Sequence, residues 1–205
     1  MKFKRILLCA LLVLIPILSI NNKNIENVQT DIDIEEMCYN NFNDSIDSVI
    51  YKQYIKDSIM NLLVGEANRY IRQVAPKSHI DMPKHIVEAG LNNYIDIMFI
   101  MAQTQIETNY GTMGAGRPSS RNSIFGIAIK KYANYEQAIA DYIRLLNKSY
   151  LKKGRTEYHL MNNYTTISGA RYAENRRYEI DLKKAYNHIN KNTKIKELQE
   201  KYKLI

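Results

Sequence analysis

Glu107 is the residue of this sequence whose type and position are best suited to acid–base chemistry. It ends the apolar run "NYIDIMFIMAQTQIE", and the next acidic residue along the chain is Glu136. A carboxyl in the last turn of a helix faces the negative end of the helix dipole, and apolar neighbours remove it from water, so both effects favour the protonated form. A carboxyl with a raised pKa is suited to general acid catalysis near neutral pH. A solvent-facing glutamate at a helix end fits the same pattern, and the residues alone leave both interpretations open.

The element that must position Glu107 is a buried helix. One stripe of it is apolar at helical spacing, and the remaining faces are apolar too: Ile95, Phe99, Ala102 and Ile106 form the stripe, and Ile97, Met98, Ile100 and Met101 lie beside it. A helix that is apolar all round belongs in a core. At about 15 residues it is shorter than the roughly 20 needed to cross a membrane.

The pattern after this helix changes to that of a loop with a small strand. Gly111 is a natural residue for the helix end, and residues 112–123 are rich in Gly, Ser and Arg. The following "SIFGIAI" is the only good short strand signal in the chain. The expected fold class is therefore α+β, mostly α, with a small irregular or β lobe after the buried helix.

The other elements are predicted as helices from their periodicity and their end signals. One begins at the N-cap Asp44 and stops at Pro76, and the next has Pro83 in its first turn and stops at Gly90. Asn134 and Gln137 form a capping box before a further helix. Two more are expected at about 155–163 and over "NRRYEIDLKKAYNHI", and residues 191–205 are a short, amphipathic, basic tail.

The N-terminal sequence predicts export. A basic stub, "MKFKR", precedes the 15-residue apolar run "ILLCALLVLIPILSI", which is typical of a secretory signal and short for a membrane span. We therefore expect residues 1–20 to be an export signal or an N-terminal anchor, and the protein to be in the periplasm, the cell envelope or the medium. Residues 21–43 are Asn-rich and acidic and are predicted to be a linker, so the folded domain would span 44–190.

Cysteine and histidine usage argues against disulfide and metal chemistry. Cys9 lies within the export signal, which leaves Cys38 alone, and the four histidines have no metal-binding spacing. The sequence therefore predicts neither a metal nor another cofactor, and we expect a monomer held together by its core.

The charge is distributed unevenly and indicates an anionic partner. Residues 21–68 carry nine acids and three lysines, a net charge of −6, whereas residues 69–205 carry a net charge of +11. A basic exported domain suits a polyanion such as a bacterial wall, and a lysine-rich solvated surface explains the charge equally well. Nucleic acid is disfavoured because of the export signal and because the basic residues do not cluster in one recognition helix.

Four short elements together resemble the bacterial and phage glucosaminidases of glycoside hydrolase family 73, which belong to the lysozyme-like superfamily. "AQTQIETNYGT" is similar to that family's signature around its catalytic acid, and "NSIFGI" follows it as in the family. "KYANYEQAIADYIRLL" and "RYAENRRYEIDLKKAY" are similar to two later family elements. The four occur in the family's order over residues 70–190.

The resemblance implies a lysozyme-like fold with a small β lobe and cleavage of the β-1,4-linked glycan of peptidoglycan, the expected partner. It implies that Glu107 is the general acid and that Tyr172 faces the catalytic site. It also implies five substrate-binding positions, namely Gln103, Tyr110, Asn122, Phe125 and Tyr178. Tyr178 closes its motif and is expected mainly to pack.

One departure from the family leaves the mechanism open. Glycoside hydrolysis usually takes two carboxyls, yet residues 108–135 contain none. With one acid, the substrate's own 2-acetamido oxygen can attack, oriented by Tyr172, or the 6-hydroxyl of muramic acid can attack as in lytic transglycosylases. An N-acetylmuramidase on the same fold, or a wall-binding or assembly protein without catalysis, are further alternatives.

Overall fold

Helix α1 begins at Ile46 and ends at Val74, two residues before Pro76, as the sequence predicts. The structure is a computed structural model that describes residues 46–126, 130–175 and 177–204, with side chains from residue 53 onward. It divides into two units, Met1–Ile55 and Lys56–Ile205. Only the start of α1 is described in the first unit. The predicted export signal, the linker and the Asp44 cap lie outside the described residues.

The turn after α1 is closed by Arg72, a basic residue in the last turn of the helix. Its guanidinium donates to the carbonyl oxygens of Ser78 at 2.7 Å and of His79 at 3.2 Å. The side chain thereby satisfies carbonyl groups just beyond the end of the helix, where the regular backbone pattern supplies no partners.

Helix α2 spans Met82–Asn93 and starts with Pro83 in its first turn, as predicted. The predicted stop at Gly90 is wrong, because the helix continues for three residues to a left-handed cap at Tyr94. Gly90 has a different role: a Cβ there would lie 2.6 Å from Ile97 Cγ1 and 2.9 Å from the Ile95 carbonyl oxygen. The missing side chain lets the next segment cross close to α2.

Helix α3, Ile97–Thr108, is the buried helix expected from its composition. Nine of its twelve residues are buried, and Asp96 caps its start by accepting from the Met98 amide at 2.9 Å. Three successive residues then turn the chain in the left-handed region, namely Asn109, Tyr110 and Gly111, with φ of 45°, 54° and 78°. This sharp turn ends the helix one residue after Glu107.

The segment after α3 is irregular in the described residues. It contains one 3₁₀ turn, Gly114–Gly116, and the described residues of "SIFGIAI", 123–126, form turns. Residues 127–129 of that predicted strand lie outside the described part. The described residues hold no strand, only an isolated antiparallel bridge between Thr165 and Arg171, so a β lobe is not shown.

The remaining helices form the second half of the unit. Helix α4 begins after Asn134, whose side chain accepts from the Gln137 amide at 2.9 Å as predicted, while Gln137 Oε1 accepts from Ala133 instead of Asn134. The elements are α4 Tyr135–Leu145, continued by a π turn Leu146–Tyr150, α5 Glu157–Asn162, α6 Tyr178–Asn192 and α7 Ile195–Lys201.

The core is built around α3. Helix α6 packs along it, and α2 packs against both α3 and α4. The predicted C-terminal tail is part of this unit, because α7 buries Ile195 and Leu198 and the Lys194 amide donates to Glu66 at 2.8 Å. Within the described ranges, no helix is both long and apolar enough to cross a membrane.

Candidate active site

The Glu107 carboxyl lies at the C-terminal end of α3, where three elements converge. The first is α3 itself, the second is the loop around Gly126, and the third is the start of α6 with the loop before it. The Tyr178 hydroxyl, on the first residue of α6, donates to Glu107 Oε1 at 2.5 Å. Two residues that are 71 positions apart in the chain therefore meet in one short hydrogen bond.

A second tyrosine stands beside this pair. Tyr172 donates its hydroxyl proton to the Phe125 carbonyl at 2.7 Å, and its ring centre is 5.3 Å from that of Tyr178. Tyr172 also lies close enough to the Glu107 carboxyl to lower the pKa of that acid. Glu107, Tyr172 and Tyr178 are each intermediate between buried and exposed.

Gly126 leaves the space that the carboxyl occupies. Its φ is +66°, a conformation that side-chain-bearing residues rarely adopt, and a Cβ at this position would overlap Glu107 Oε2 and lie 3.0 Å from Glu107 Cδ. The glycine is thus required twice, once for the turn and once for the close approach of the acid.

Burial raises the pKa of Glu107 above its ordinary value, and the hydrogen bond from Tyr178 and the nearby Tyr172 hydroxyl partly oppose this effect. The direction agrees with what the sequence predicts for an acid at the apolar end of a helix. Burial also raises the pKa of both tyrosines, and the nearby Glu107 charge raises it further. The tyrosines therefore remain protonated at physiological pH and act as donors, whereas Glu107 is the group here able to give up a proton.

A layer of aromatic side chains supports Tyr172 from behind. Tyr164 stacks on Tyr172 with ring centres 4.4 Å apart and planes 13° apart. Gln103 Oε1 accepts from the Tyr164 hydroxyl at 2.8 Å and also accepts a short hydrogen bond from Tyr142. The Gln103 amide also lowers the pKa of Tyr172 and so partly opposes the rise that burial causes. One buried amide on α3 thus ties α4 and the 163–172 segment to the helix that carries Glu107.

The structure separates the predicted substrate-binding residues into two groups. Gln103, Tyr110 and Phe125 are buried in the core, where Phe125 stacks on Tyr142 at 3.8 Å and the Tyr110 hydroxyl lies 3.5 Å from Gln105 Oε1. They present no surface to a ligand, because each is at most 1% exposed.

The remaining predicted binding residues lie nearer the surface. Asn122 takes a left-handed conformation with φ of 53°, and its Nδ2 donates to the Tyr132 carbonyl at 3.0 Å. It therefore closes the loop between 122 and 132. Tyr178, for which the sequence predicts mainly a packing role, instead makes the direct contact with the Glu107 carboxyl.

Among the described residues, no carboxylate hydrogen-bonds to Glu107 or contributes to the shift of its pKa. The groups that shift its pKa are Tyr178 and Tyr172. Asp96 caps the far end of α3, Asp141 binds Lys130 and Arg144, and Glu179 binds Arg171. The described residues also contain no group of three or more acids, histidines or cysteines able to hold a metal.

Two residues of the site were not identified as functional from the sequence. Gly126 belongs to the "IFG" element, and its positive φ is the reason for that glycine, but a sequence does not show which side chain approaches it. Tyr164 carries no local signal, because its position depends on stacking against Tyr172. Tyr142 lies among apolar residues on one face of α4. A hydroxyl buried there needs a hydrogen-bond partner, which is a weak sequence signal for a buried network.

Comparison of the chain with models of protein families and with curated proteins found no match. The resemblance to the glucosaminidases therefore depends on the four short sequence elements described above. The site geometry is independent of that resemblance, since it consists of the contacts around one acid. Any activity for this chain is accordingly a proposal.

Proposed function

We propose that this chain is an exported peptidoglycan hydrolase that cleaves the β-1,4 bond of the glycan strand, in the manner of an endo-β-N-acetylglucosaminidase, with Glu107 as the general acid. The observation that carries the proposal is the environment of Glu107. It is a lone, half-buried carboxyl with a raised pKa that is held by the hydroxyl of Tyr178.

The chemistry follows from that environment. Protonated Glu107 donates its proton to the oxygen of the leaving sugar as the glycosidic bond breaks, which leaves a carboxylate at Glu107. A water molecule then adds its hydroxyl to the anomeric carbon, and its other proton returns to Glu107 and restores the acid. Tyr178 donates to that carboxylate, which stabilises it without a positively charged partner. We assign the orientation of the substrate's acetamido group to Tyr172, whose ring lies beside that of Tyr178.

The lone acid favours a mechanism in which the substrate supplies the nucleophile. Retaining and inverting enzymes that use two carboxyls place them about 5–5.5 Å and about 6.5–9.5 Å apart. No described carboxylate acts on Glu107, so attack by the 2-acetamido oxygen fits the site. Attack by the 6-hydroxyl of muramic acid fits it equally well and would make the chain a lytic transglycosylase. A muramidase differs only in which bond is cut.

The finer parts of the proposal concern fold and location. We propose a lysozyme-like arrangement in which the irregular segment after α3 forms one wall of a cleft, with α6 and the preceding loop on the other side. The apolar N-terminal run supports export. The net charge of +8 supports an anionic wall as the partner.

The test is release of new glycan ends from purified peptidoglycan by the wild type and by Glu107→Gln. Glutamine keeps the shape and still accepts from Tyr178, but it has no acidic proton, so we expect the rate to fall about 10²–10⁴-fold. Glu88→Gln is the matched control, because Glu88 lies on the surface of α2 and its carboxylate makes only a loose ion pair with Lys84 at 3.8 Å. The control should cleave like the wild type, and melting curves should show all three folded.

The type of end identifies the reaction. A reducing N-acetylglucosamine end indicates a glucosaminidase, a reducing muramic acid end a muramidase, and an anhydro-muramic acid end a transglycosylase. A folded Glu107→Gln variant that cleaves at more than about a tenth of the wild-type rate is inconsistent with a general acid at this position. Tight binding of wild type to peptidoglycan with no new ends would indicate a wall-binding protein instead.

A further inference from the structure

A groove lies between α5 and the loops before and after it. Its volume is about 500 Å³, and Glu107, Tyr172 and Tyr178 are not among the described residues that line it. Most of the lining side chains are basic, aromatic or neutral polar, among them Lys153, Arg155, Tyr158 and Thr165, and Ile167 is the apolar member. None of the described lining residues is acidic.

The groove carries positive charge that the described residues leave uncompensated. Lys153 and Arg155 make no ion pair in the described ranges, and the Arg155 hydrogen bonds are long, at 3.3 Å to the Asn163 carbonyl and 3.5 Å to Thr165 Oγ1. The nearest acid in sequence, Glu157, is turned away, since its Oε1 accepts from the Asp96 amide at 3.1 Å. The guanidinium and ammonium groups are therefore available to an anion.

An aromatic ring and several neutral polar groups stand beside these cations. Tyr158 is 70% exposed, an unusual position for a large aromatic side chain. Thr165 adds a hydroxyl along the same wall, whereas the amide of Asn162 donates to the Tyr158 carbonyl and accepts from Lys183. A tyrosine face packs against the C–H face of a sugar, and hydroxyl and amide groups hydrogen-bond its hydroxyls.

The groove shares a wall with the Glu107 site. Residues 163–172 fold back on themselves through the Thr165–Arg171 bridge, and the Tyr172 amide donates to the Tyr164 carbonyl at 2.8 Å. Asn163 and Thr165 line the groove, while Tyr164 between them is buried against Tyr172. A ligand in the groove therefore lies on the opposite side of the segment that supports Tyr172.

We propose that this groove binds an acidic polymer that contains sugar units, with Lys153 and Arg155 on its carboxylate or phosphate groups and Tyr158 against a neighbouring ring. The identification of that polymer as part of a bacterial wall rests on the proposed function. The groove holds the polymer beside the cleft and keeps the enzyme on the wall between cleavage events. Two sources share the required chemistry, the carboxylates of the peptide stems on muramic acid and the phosphodiesters of a wall polymer.

The test compares binding of three soluble probes to the full-length chain. The probes are N-acetylmuramoyl dipeptide, which carries carboxylates, a glycerol phosphate oligomer substituted with N-acetylglucosamine, which carries phosphodiesters and sugar rings, and neutral chitotriose. The groove variant is Lys153→Asn with Tyr158→Asn, chosen because Lys153 has φ of 58°, where asparagine is tolerated. We expect it to lose about tenfold or more in affinity for an acidic probe, since a hydrogen bond to a charged group is lost.

The matched control changes the same residue types outside the groove. Lys203→Asn with Tyr94→Asn removes one exposed lysine at φ of 50° and one tyrosine that is 80% exposed, so it changes the net charge by the same amount. We expect this control to bind both acidic probes like the wild type. The acidic probe that loses affinity in the groove variant identifies the source of the anion.

Three results overturn the proposal: neither acidic probe binds more tightly than chitotriose, the groove variant binds like the wild type, or the control loses as much affinity as the groove variant. The last result would mean that general surface charge, not the groove, does the binding. Failure of the proposed function is a separate outcome. In that case the wild type releases no glycan ends, while the groove variant still loses its affinity for the acidic probe.

Discussion

At the scale of single residues, the site depends on how Glu107 is kept protonated and how its carboxylate is then held. Burial favours the neutral acid, and the hydrogen bond from Tyr178 favours the carboxylate. The balance sets the pH range in which a proton is available. Because the folded-state pKa is raised, the stability contributed by this group is full below its unfolded pKa and is lost as pH rises through the folded value. In Glu107→Gln, this decrease in the free energy of unfolding with rising pH should be absent.

Tyr178→Phe tests this balance. Without the Tyr178 hydroxyl, the carboxylate loses a donor at 2.5 Å, so the pKa of Glu107 should rise further. The limb of the pH–rate profile on which activity falls with rising pH should therefore move to higher pH. The fall in the maximal rate should be smaller than for Glu107→Gln, because the acidic proton is retained. The pH–rate profile of Tyr172→Phe is measured for comparison. If this limb of the profile does not move in Tyr178→Phe, it does not report the ionisation of Glu107.

Gly126→Ala tests the space that the acid occupies. The new Cβ would overlap Glu107 Oε2, so the carboxyl must move, and we expect a large loss of cleavage. The left-handed conformation adds about 1–2 kcal/mol of destabilisation. Gly154→Ala isolates that second effect, since Gly154 has φ of +75° and a Cβ there would have no neighbour within 4 Å. Equal activity in the two alanine variants would show that Gly126 serves only the turn.

At the scale of elements, α3 carries the site at one end and a cap at the other, so its position relative to its neighbours matters. Gly90 of α2 allows the close approach at the start of α3, where a Cβ would lie 2.6 Å from Ile97 Cγ1. Gly65 of α1 is the opposite case, a helical glycine at which a Cβ would meet nothing within 4 Å.

The same substitution should therefore have opposite effects at these two glycines. Alanine favours a helix interior over glycine by about 0.5–1 kcal/mol, so Gly65→Ala should stabilise the protein by that amount. Gly90→Ala should destabilise it in spite of that propensity, because the Ile95 carbonyl 2.9 Å away is backbone and does not move independently. Chemical denaturation of both variants measures the two free energies of unfolding, and a stabilised Gly90→Ala would show that α2 and α3 can separate without cost.

At the scale of the whole molecule, the net charge of +8 bears on the encounter with an anionic wall. Interactions between exposed charges are screened over about 8 Å at physiological ionic strength and over shorter distances at higher salt. Lysis of whole wall should therefore slow as salt rises. Cleavage of a neutral soluble glycan oligomer is the control and should change little with salt, because it has no charge to steer. Identical salt responses for the two substrates would contradict a role for the basic surface.

The amino-acid sequence by itself determines the helical content, the buried character of α3 and the position of Glu107 in its last turn. These features follow from local periodicity and caps, such as Asp96 at the start of α3 and Asn134 before α4. The wrong stop at Gly90 has a tertiary cause, since that glycine serves contact with the next segment and not the end of a helix. The predicted strand is a second difference, because residues 123–126 form turns that bring Gly126 against the acid.

Only the tertiary structure decides which side chains meet Glu107. Tyr178 reaches it because α6 packs along α3, and nothing within either helix specifies that pairing. Gln103 lies one helical turn from Glu107 in the sequence, yet it points to buried hydroxyls of Tyr142 and Tyr164 instead of to the surface. The physical reason is that periodicity shows a face of a helix, whereas the partner of each residue on that face depends on contacts far apart in the chain.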